Sequence, residues 1–360
     1  MNIQEIAQNN KIVEMYSGSK AYGTNLPTSD VDIRGIFCAP RECVQTPFFP
    51  VKECVDTEAE DSKLYELSHF MKLCLDCNPN IIELLWTDPA DIIYRNKAYD
   101  TLRLARSELL SSKIAFTTTG YAVSQLKRIK GHNKWINNPH SAQPPVQKDY
   151  ISLIQWFGKN RVLPRDFCID NFRSNARLIP YGNDIYGMYV DVHTNNLDTK
   201  KYCTFDDTGS INGIFKGERH LLPIPLAIIK YNSVEYKRAL DNHNSYWTWK
   251  NNRNAARSEL EDKFGFDSKH AMHLVRLMRI GEEALTEGVI HVKRPDAEEL
   301  LSIRNGAWTY KELIEYADHM DNKIRNELYQ KTSLRKYPDL QLASQLLINI
   351  QEDFWKEDNL

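Results

Sequence analysis

Asp30 and Asp32 flank a single apolar residue, Val31, at the start of an alternating segment that runs from Val31 to Cys38. Side chains two apart on a strand point to one face. Two carboxylates so placed repel each other and lose hydration unless a cation lies between them. Hard oxygen donors of this kind favour Mg²⁺ or Mn²⁺. Ten residues upstream of the pair stands Gly18-Ser19, which follows an apolar strand candidate, 11–17. Gly18 lets the backbone come close to a bulky anion, and Ser19 brings an N–H and a hydroxyl, the groups with which such turns bind phosphate. A phosphate grip ahead of a carboxylate pair suits metal-assisted phosphoryl or nucleotidyl transfer, in which metals activate the attacking oxygen and neutralise the leaving pyrophosphate. Arg34 shares the face of Asp30 and Asp32 and is placed to touch a triphosphate.

Two later segments carry cations at helical spacing. Lys127, Lys130 and Lys134 form one stripe, with Gln125 and Arg128 beside it. In 268–286, Lys269, His273 and Arg276 share one side, flanked by His270 and Arg279, while Ala271, Leu274, Val275 and Met278 occupy the other. Such stripes supply phosphate affinity rather than sequence specificity. His270 and His273 have no matching set of metal ligands in the sequence and read as neutral, hydrogen-bonded imidazoles. Cys74 and Cys77 have C-x-x-C spacing without a second pair, and read as ordinary thiols. Trp156, Tyr246, Trp247 and Trp249 offer faces for base stacking, although packing accounts for most such residues.

The elements that hold these residues follow from periodicity and turn chemistry. Strands are expected over 11–17, 31–38 and 62–67, with a Gly/Ser/Thr/Pro/Asn-rich turn over 18–29. Helical spacing covers 67–77, Pro79 opens a further helix, and 112–130 reads as a long helix ending at Gly131. Residues 133–150 read as a loop and 178–217 as a small antiparallel insertion. Helices are expected over 235–262, 268–286, 296–303, 309–329 and 339–355. The fold class is α/β (α+β), divided into a catalytic head over 1–110, a helix plus β-rich insertion over 111–222, and a helical C-terminal domain over 223–360.

The chain has 360 residues, 42% hydrophobic and 26% charged, which is ample for a folded core and excludes a disordered or fibrous class. With 46 Lys and Arg against 48 Asp and Glu, the net charge of −2 excludes a polybasic binder but leaves room for a local basic groove. Seven cysteines without a disulfide framework indicate a reducing compartment. The first fifteen residues lack the apolar core of a secretory signal, and the apolar stretch 221–229 is broken by Pro223 and Pro225. A soluble, cytoplasmic protein is expected.

Gly-Ser, a ten-residue spacer and then Asp-Val-Asp-Ile resembles the signature of the DNA polymerase β-type nucleotidyltransferase superfamily. The stretches Ala21-Tyr22-Gly23, Ser29 to Gly35, Asn78-Pro79-Asn80 and Glu83-Leu84-Leu85 resemble its RNA-repair-pathway branch, found in bacteria and large phages. The resemblance is strong over roughly 10–135, returns over about 260–310 and is weak or absent over 140–255. It implies a mixed-sheet nucleotidyltransferase head with a helical C-terminal domain forming the other wall of a cleft. It implies transfer of a nucleoside monophosphate from an NTP to an acceptor hydroxyl, an RNA 3′ end before a protein or a small molecule. The alternative is a nucleotide- or RNA-binding protein that keeps the fold without turnover. The superfamily has a third carboxylate on a neighbouring strand. By resemblance it falls within Asp61 to Glu66, with Glu66 preferred over Asp61; a carboxylate at Glu66 is equally suited to stabilising the first turn of the next helix. Asp30, Asp32 and Glu66 are then the catalytic and metal-binding residues. Gly18, Ser19, Arg34, Lys269, His273 and Arg276 hold the nucleotide.

Overall fold

The computed structural model describes residues 2–55, 62–158, 167–172, 174–190, 201–217, 224–253 and 255–357. Its contacts group Met1–Asn137 with Ala255–Leu360 as one unit and leave Asn138–Asn254 as a second. This grouping cuts the chain at other places than 110 and 222.

In the first unit, α1 (Ile3–Asn9) leads into β1 (Lys11–Tyr16), then α2 (Gly18–Tyr22) and β2 (Ile33–Phe37). After α3 (Arg41–Gln45) come β3 (Glu53–Val55), β4 (Ser62–Glu66), α4 (Leu67–Leu75) and α5 (Pro79–Ile82). Next are β5 (Ile92–Arg95), α6 (Lys97–Leu104), α7 (Arg106–Leu109) and α8 (Ile114–Asn137). The five strands stand in the order β3-β4-β2-β1-β5. β2 and β4 run parallel, from Ile33 opposite Ser62 to Phe37 opposite Glu66, and the other pairs are antiparallel. This is the mixed sheet that the strand, Gly-Ser turn, strand order calls for. The caps follow side-chain chemistry. Asn78 accepts the Asn80 N–H ahead of Pro79, and Asn96 accepts from Ala98 and Tyr99.

The second unit contains β6 (Ile151–Trp156), β7 (Ala176–Gly182), β8 (Ile185–Val190), the short pair β9 (Thr204–Phe205) and β10 (Ile211–Asn212), β11 (Ala227–Tyr231) and α9 (Ser233–Asn251). β6-β11-β8-β7 form an antiparallel sheet over a core of Leu178, Met188, Ala227 and Ile229. The antiparallel insertion is thus real and wider than 178–217, because β6 and β11 bring its ends into the same sheet.

Back in the first unit lie α10 (Ala255–Phe264), α11 (Ser268–Glu287), α12 (Ala297–Arg304), α13 (Tyr310–Asn322), a π-helical turn over Lys323–Leu328, α14 (Tyr329–Lys331) and α15 (Leu340–Glu357). The helix expected over 235–262 is two, broken at Asn251-Asn252, where asparagine competes for the backbone bonds. The long helix does not end at Gly131. It continues to Asn137, with Gly131 in ordinary helical backbone. α8 and α11 pack closely. A Cβ on Gly281 of α11 would lie 2.5 Å from Thr118 Oγ1 of α8, so only glycine permits this approach. One continuous core joins β1 and β2 (Ile12, Met15, Ile36) to α8 and α11 (Ile129, Leu274, Met278). Part of the helical C-terminal region therefore belongs to the body of the head itself. All seven cysteines are free thiols, and Cys74 and Cys77 are buried. Among the described residues no helix is long and apolar enough to cross a membrane.

Candidate active site

Gly18 opens α2 at φ +61, the left-handed region that glycine enters at no steric cost. The carboxylate of Asp32 lies directly over it: a Cβ at Gly18 would stand 2.1 Å from Asp32 Oδ2. The backbone fixes this contact. β1 and β2 pair as far as Tyr16 with Ile33, and the Ser17 N–H then donates to the Asp32 carbonyl at 2.9 Å. The ladder thus runs one step past the strands and sets Asp32 against the first turn of α2. Asp32 keeps about a third of its side chain exposed (31%), and Asp30 is exposed. Arg34 Nη2 stands 3.8 Å from Asp32 Oδ1, while Nη1 donates to the Ile33 carbonyl. Gly18, Ser19, Asp32 and Arg34 are therefore one neighbourhood, as their spacing indicates.

α2 is held from below by groups far away in sequence. The buried Tyr22 hydroxyl donates to Glu83 Oε1 at 2.6 Å. Arg276 of α11 donates from Nη1 to Glu83 Oε2 at 3.3 Å, and its guanidinium lies over the Tyr22 ring at 3.7 Å. Burial pushes both the Tyr22 phenol and the Glu83 carboxyl above their ordinary ranges, and Arg276 opposes both shifts. The Tyr22 carbonyl accepts from the Arg294 N–H at 3.1 Å. Arg294 in turn grips Glu283 with two bonds of 2.7 Å and donates to Asp296 at 2.8 Å.

This arrangement divides the 268–286 stripe. Lys269 is exposed and His273 half-buried, but Arg276 is only 4% exposed and is occupied by Glu83 and Tyr22. Helical spacing gives the angular position of a side chain, not the depth of the partner it meets; the stripe turns inward where α11 crosses under α2. Arg279 likewise pairs with Asp296 and Glu299.

The structure places Glu66 apart from Asp32. It lies at the far end of β4 from the start of β2, opposite Phe37. Four residues of strand separate Phe37 from Ile33, a span of about 13 Å. Lys63 pairs with Arg34, so Ser62, Leu64 and Glu66 point to the face opposite Arg34 and Asp32. Glu66 is 3% exposed and caps α4, accepting from Ser68 N at 2.7 Å and His69 N at 3.2 Å. Burial raises its carboxyl above the usual range, with those hydrogen bonds opposing. The helix-stabilising role is the one it performs. Asp61, the other candidate, lies outside the described residues.

Sequence reasoning overlooked Lys20, Tyr22, Glu83 and Arg294 as parts of this neighbourhood. Lys20 follows Ser19 on α2, with its ammonium over the Tyr16 ring at 3.2 Å. Tyr22 and Glu83 stand inside stretches that carried the family resemblance, so their signal was present; what was missing was the partner, Arg276, nearly two hundred residues on.

The Gly18–Asp32 geometry lies within residues 2–152, which match a known family. This stretch is similar to the RNA repair pathway DNA polymerase beta family. The family is one of DNA polymerase β-like nucleotidyltransferases. A curated relative, an uncharacterised 38.9 kDa protein from the nrdC-mobD intergenic region of Enterobacteria phage T4, is 32% identical over 91 residues. That match covers 23% of this chain and 27% of the relative. No solved structure matches the chain.

Proposed function

We propose that this chain transfers a nucleoside monophosphate from an NTP to an acceptor hydroxyl, an RNA 3′ end, with release of pyrophosphate. The observation that carries this reading is the carboxylate of Asp32 seated on Gly18 at the first turn of α2, with Arg34 beside it. Asp30 and Asp32 offer exposed or half-exposed carboxylate oxygens, a donor set that fits Mg²⁺ or Mn²⁺. Such an ion supplies Lewis-acid activation and charge neutralisation when bound. The chain's own part is positional. Gly18 leaves room for the Asp32 carboxylate against the backbone, and Ser19 offers its N–H and hydroxyl to a phosphate. Arg34 and Lys20 balance negative charge, and the Tyr22–Glu83–Arg276 set fixes the angle of α2. We assign the exposed Lys269 and the half-buried His273 to contacts with a nucleotide or polynucleotide backbone. With Glu66 engaged at α4, we assign the third carboxylate to Asp61. The seven free thiols suit a cytoplasmic setting.

The test is incubation with each labelled NTP, Mg²⁺ or Mn²⁺ and total cellular RNA, followed by separation of RNA from protein. Label on RNA that disappears in Asp32→Asn is the expected result. Label on protein alone would move the acceptor class. No transfer to any acceptor, with nucleotide still bound, would leave a binding protein in place of an enzyme.

A further inference from the structure

We propose that the outer face of α8, around Lys127, Arg128 and Lys130, carries the sugar–phosphate backbone of a single-stranded RNA acceptor toward the Asp30/Asp32 site. This deepens the nucleotidyl-transfer reading and rests on it for the identity of the occupant.

The 24 residues of α8 include four Lys or Arg and no carboxylate. The imbalance is local, because in the unit that contains α8 Asp and Glu outnumber Lys and Arg. Several other surface cations of that unit meet carboxylates: Lys311 with Glu315, Lys323 with Glu282, Arg325 with Asp321 and Arg335 with Asp339. Lys127, Arg128 and Lys130 are exposed, and among the described residues no carboxylate pairs with them. The helix dipole does not account for them. It favours cations within the last turn, and these three stand seven or more residues before Asn137. Lys127 and Lys130, three apart, repel each other instead. A row of phosphates relieves that repulsion and matches the sign and spacing of the row.

The inward side of α8, with Ala115, Thr118, Ala122, Leu126 and Ile129, is buried in the core. Outward, Gly120 and Gly131 keep the ridge low; a side chain at either would meet nothing within 4 Å. Lys127 and Arg128 stand on the two sides of that ridge, about 100° apart. The ridge leads to the site. α8 and α11 run antiparallel, with Thr118 against Gly281 at one end and Asn133 bonded to the Gly265 carbonyl at the other. Five residues along from the first contact, Arg276, which holds Glu83 and Tyr22 beneath α2, is level with Val123. Burial raises the Tyr65 phenol of β4, Lys63 and Arg34 oppose, and Tyr121 of α8 is near enough to add to the rise. Tyr65 shares its sheet face with Arg34 and Asp32. Lys127 to Lys130 then lie roughly 9–14 Å along the helix from Tyr121. That distance puts them against phosphates a few nucleotides behind a reacting 3′ end.

The experiment titrates the full-length chain into a fluorescein-labelled single-stranded RNA of about twelve nucleotides. Binding is read by anisotropy over a series of KCl concentrations, without NTP, and so independently of transfer. Each phosphate contact on a single strand adds about 0.7 to the slope of log affinity against log salt, or about fivefold in affinity at 0.1 M. The triple change Lys127→Gln, Arg128→Gln and Lys130→Gln should therefore weaken binding by about 100-fold at 0.1 M salt and flatten the slope by about 2. Arg128→Gln alone should cost about fivefold. Mg²⁺-NTP binding and the thermal melt should stay at wild type in both. Lys311→Gln with Lys356→Gln, on α13 and α15, should change nothing. A folded triple variant with wild-type affinity and slope overturns the proposal. So does poly-glutamate that displaces the RNA as well as unlabelled RNA does, which would assign the face to an acidic protein partner. The two readings fail separately. RNA held through α8 by a wild-type chain that labels no RNA overturns the transfer reading and leaves an RNA-binding face. RNA labelled equally by the wild type and the triple variant overturns the role of α8 and leaves the transfer reading.

Discussion

Gly18 carries two constraints at once, a positive φ and a carboxylate where its side chain would be. Gly18→Ala should therefore cost about 1–2 kcal/mol from the left-handed backbone alone. It should also displace Asp32, so transfer falls further than stability does. Asp32→Asn should abolish transfer while the thermal melt stays close to wild type, since the change keeps the side chain's shape and removes a charge that is about a third exposed. The third carboxylate divides by phenotype. Asp61→Asn should lose transfer at unchanged stability. Glu66→Ala should lose about 0.5–2 kcal/mol of stability as a lost helix cap and keep its specific activity. The reverse pattern would return the catalytic assignment to Glu66. Glu66 also has a pH signature. Its folded pKa is raised by burial, so its ionisation opposes folding, and the stability it contributes below the ordinary carboxyl range is lost as pH rises through the raised value. Glu66→Gln cannot ionise, so it should gain on wild type between pH 4 and pH 7 in denaturant titrations; a loss over that range would mean the fold prefers the carboxylate. At this scale Asp30, Asp32, Gly18 and Ser19 were legible because a strand's alternation and a glycine turn act within a few residues. The place of Glu66 was not legible, because face and end are set by register with another strand.

α2, the short helix that begins at Gly18, is too brief to hold its own angle; Tyr22, Glu83 and Arg276 hold it. Arg276 is a buried charge with a buried partner. Arg276→Ala should accordingly destabilise by about 3–5 kcal/mol, the cost of leaving the partner's charge uncompensated. A surface cation on a cleft wall would instead unfold at the wild-type denaturant midpoint and change only KM. The paired change Arg276→Met with Glu83→Leu removes both charges and should be less destabilised than Arg276→Ala. A double variant as unstable as the sum of the singles would show that the pair is not coupled. Periodicity located α4, α8, α11 and α15 and the strands β1, β2 and β4, since each buries one face in a continuous core. It failed at Gly131 and at Asn251-Asn252, where a helix's end is decided by what packs beside it and by side-chain competition for the backbone.

The unit made of Met1–Asn137 and Ala255–Leu360 is assembled from two stretches of chain, with Asn138–Asn254 inserted between them. The family match covers residues 2–152 and so ends near the start of that insertion. The core of the first unit uses side chains from both of its stretches, from Ile12 to Trp355, and the second unit has its own sheet and its own apolar cluster. Each unit thus satisfies its burial internally, which is what independent folding requires. The join is short enough to bridge. Asn133 of α8 bonds to Gly265, just after α10, so the chain leaves and re-enters the first unit within the length of one turn of α8 and the whole of α10. Those two pieces span about 6 Å and 15 Å along their axes. A Gly/Ser linker of about twelve residues has a mean reach near 19 Å and can close that gap. Replacing 138–254 by such a linker should yield a folded protein with a single cooperative melt. It should bind Mg²⁺-NTP with the affinity of the full chain, since Gly18, Ser19, Asp30, Asp32 and Arg34 all remain. Its transfer to RNA, measured beside that binding, then assigns the insertion. Unchanged transfer places acceptor recognition in the first unit. Loss of transfer with nucleotide binding intact places it in the sheet β6-β11-β8-β7 and α9. A shortened chain that fails to fold would show that the two units are one cooperative body and would overturn the independence argued from their separate cores.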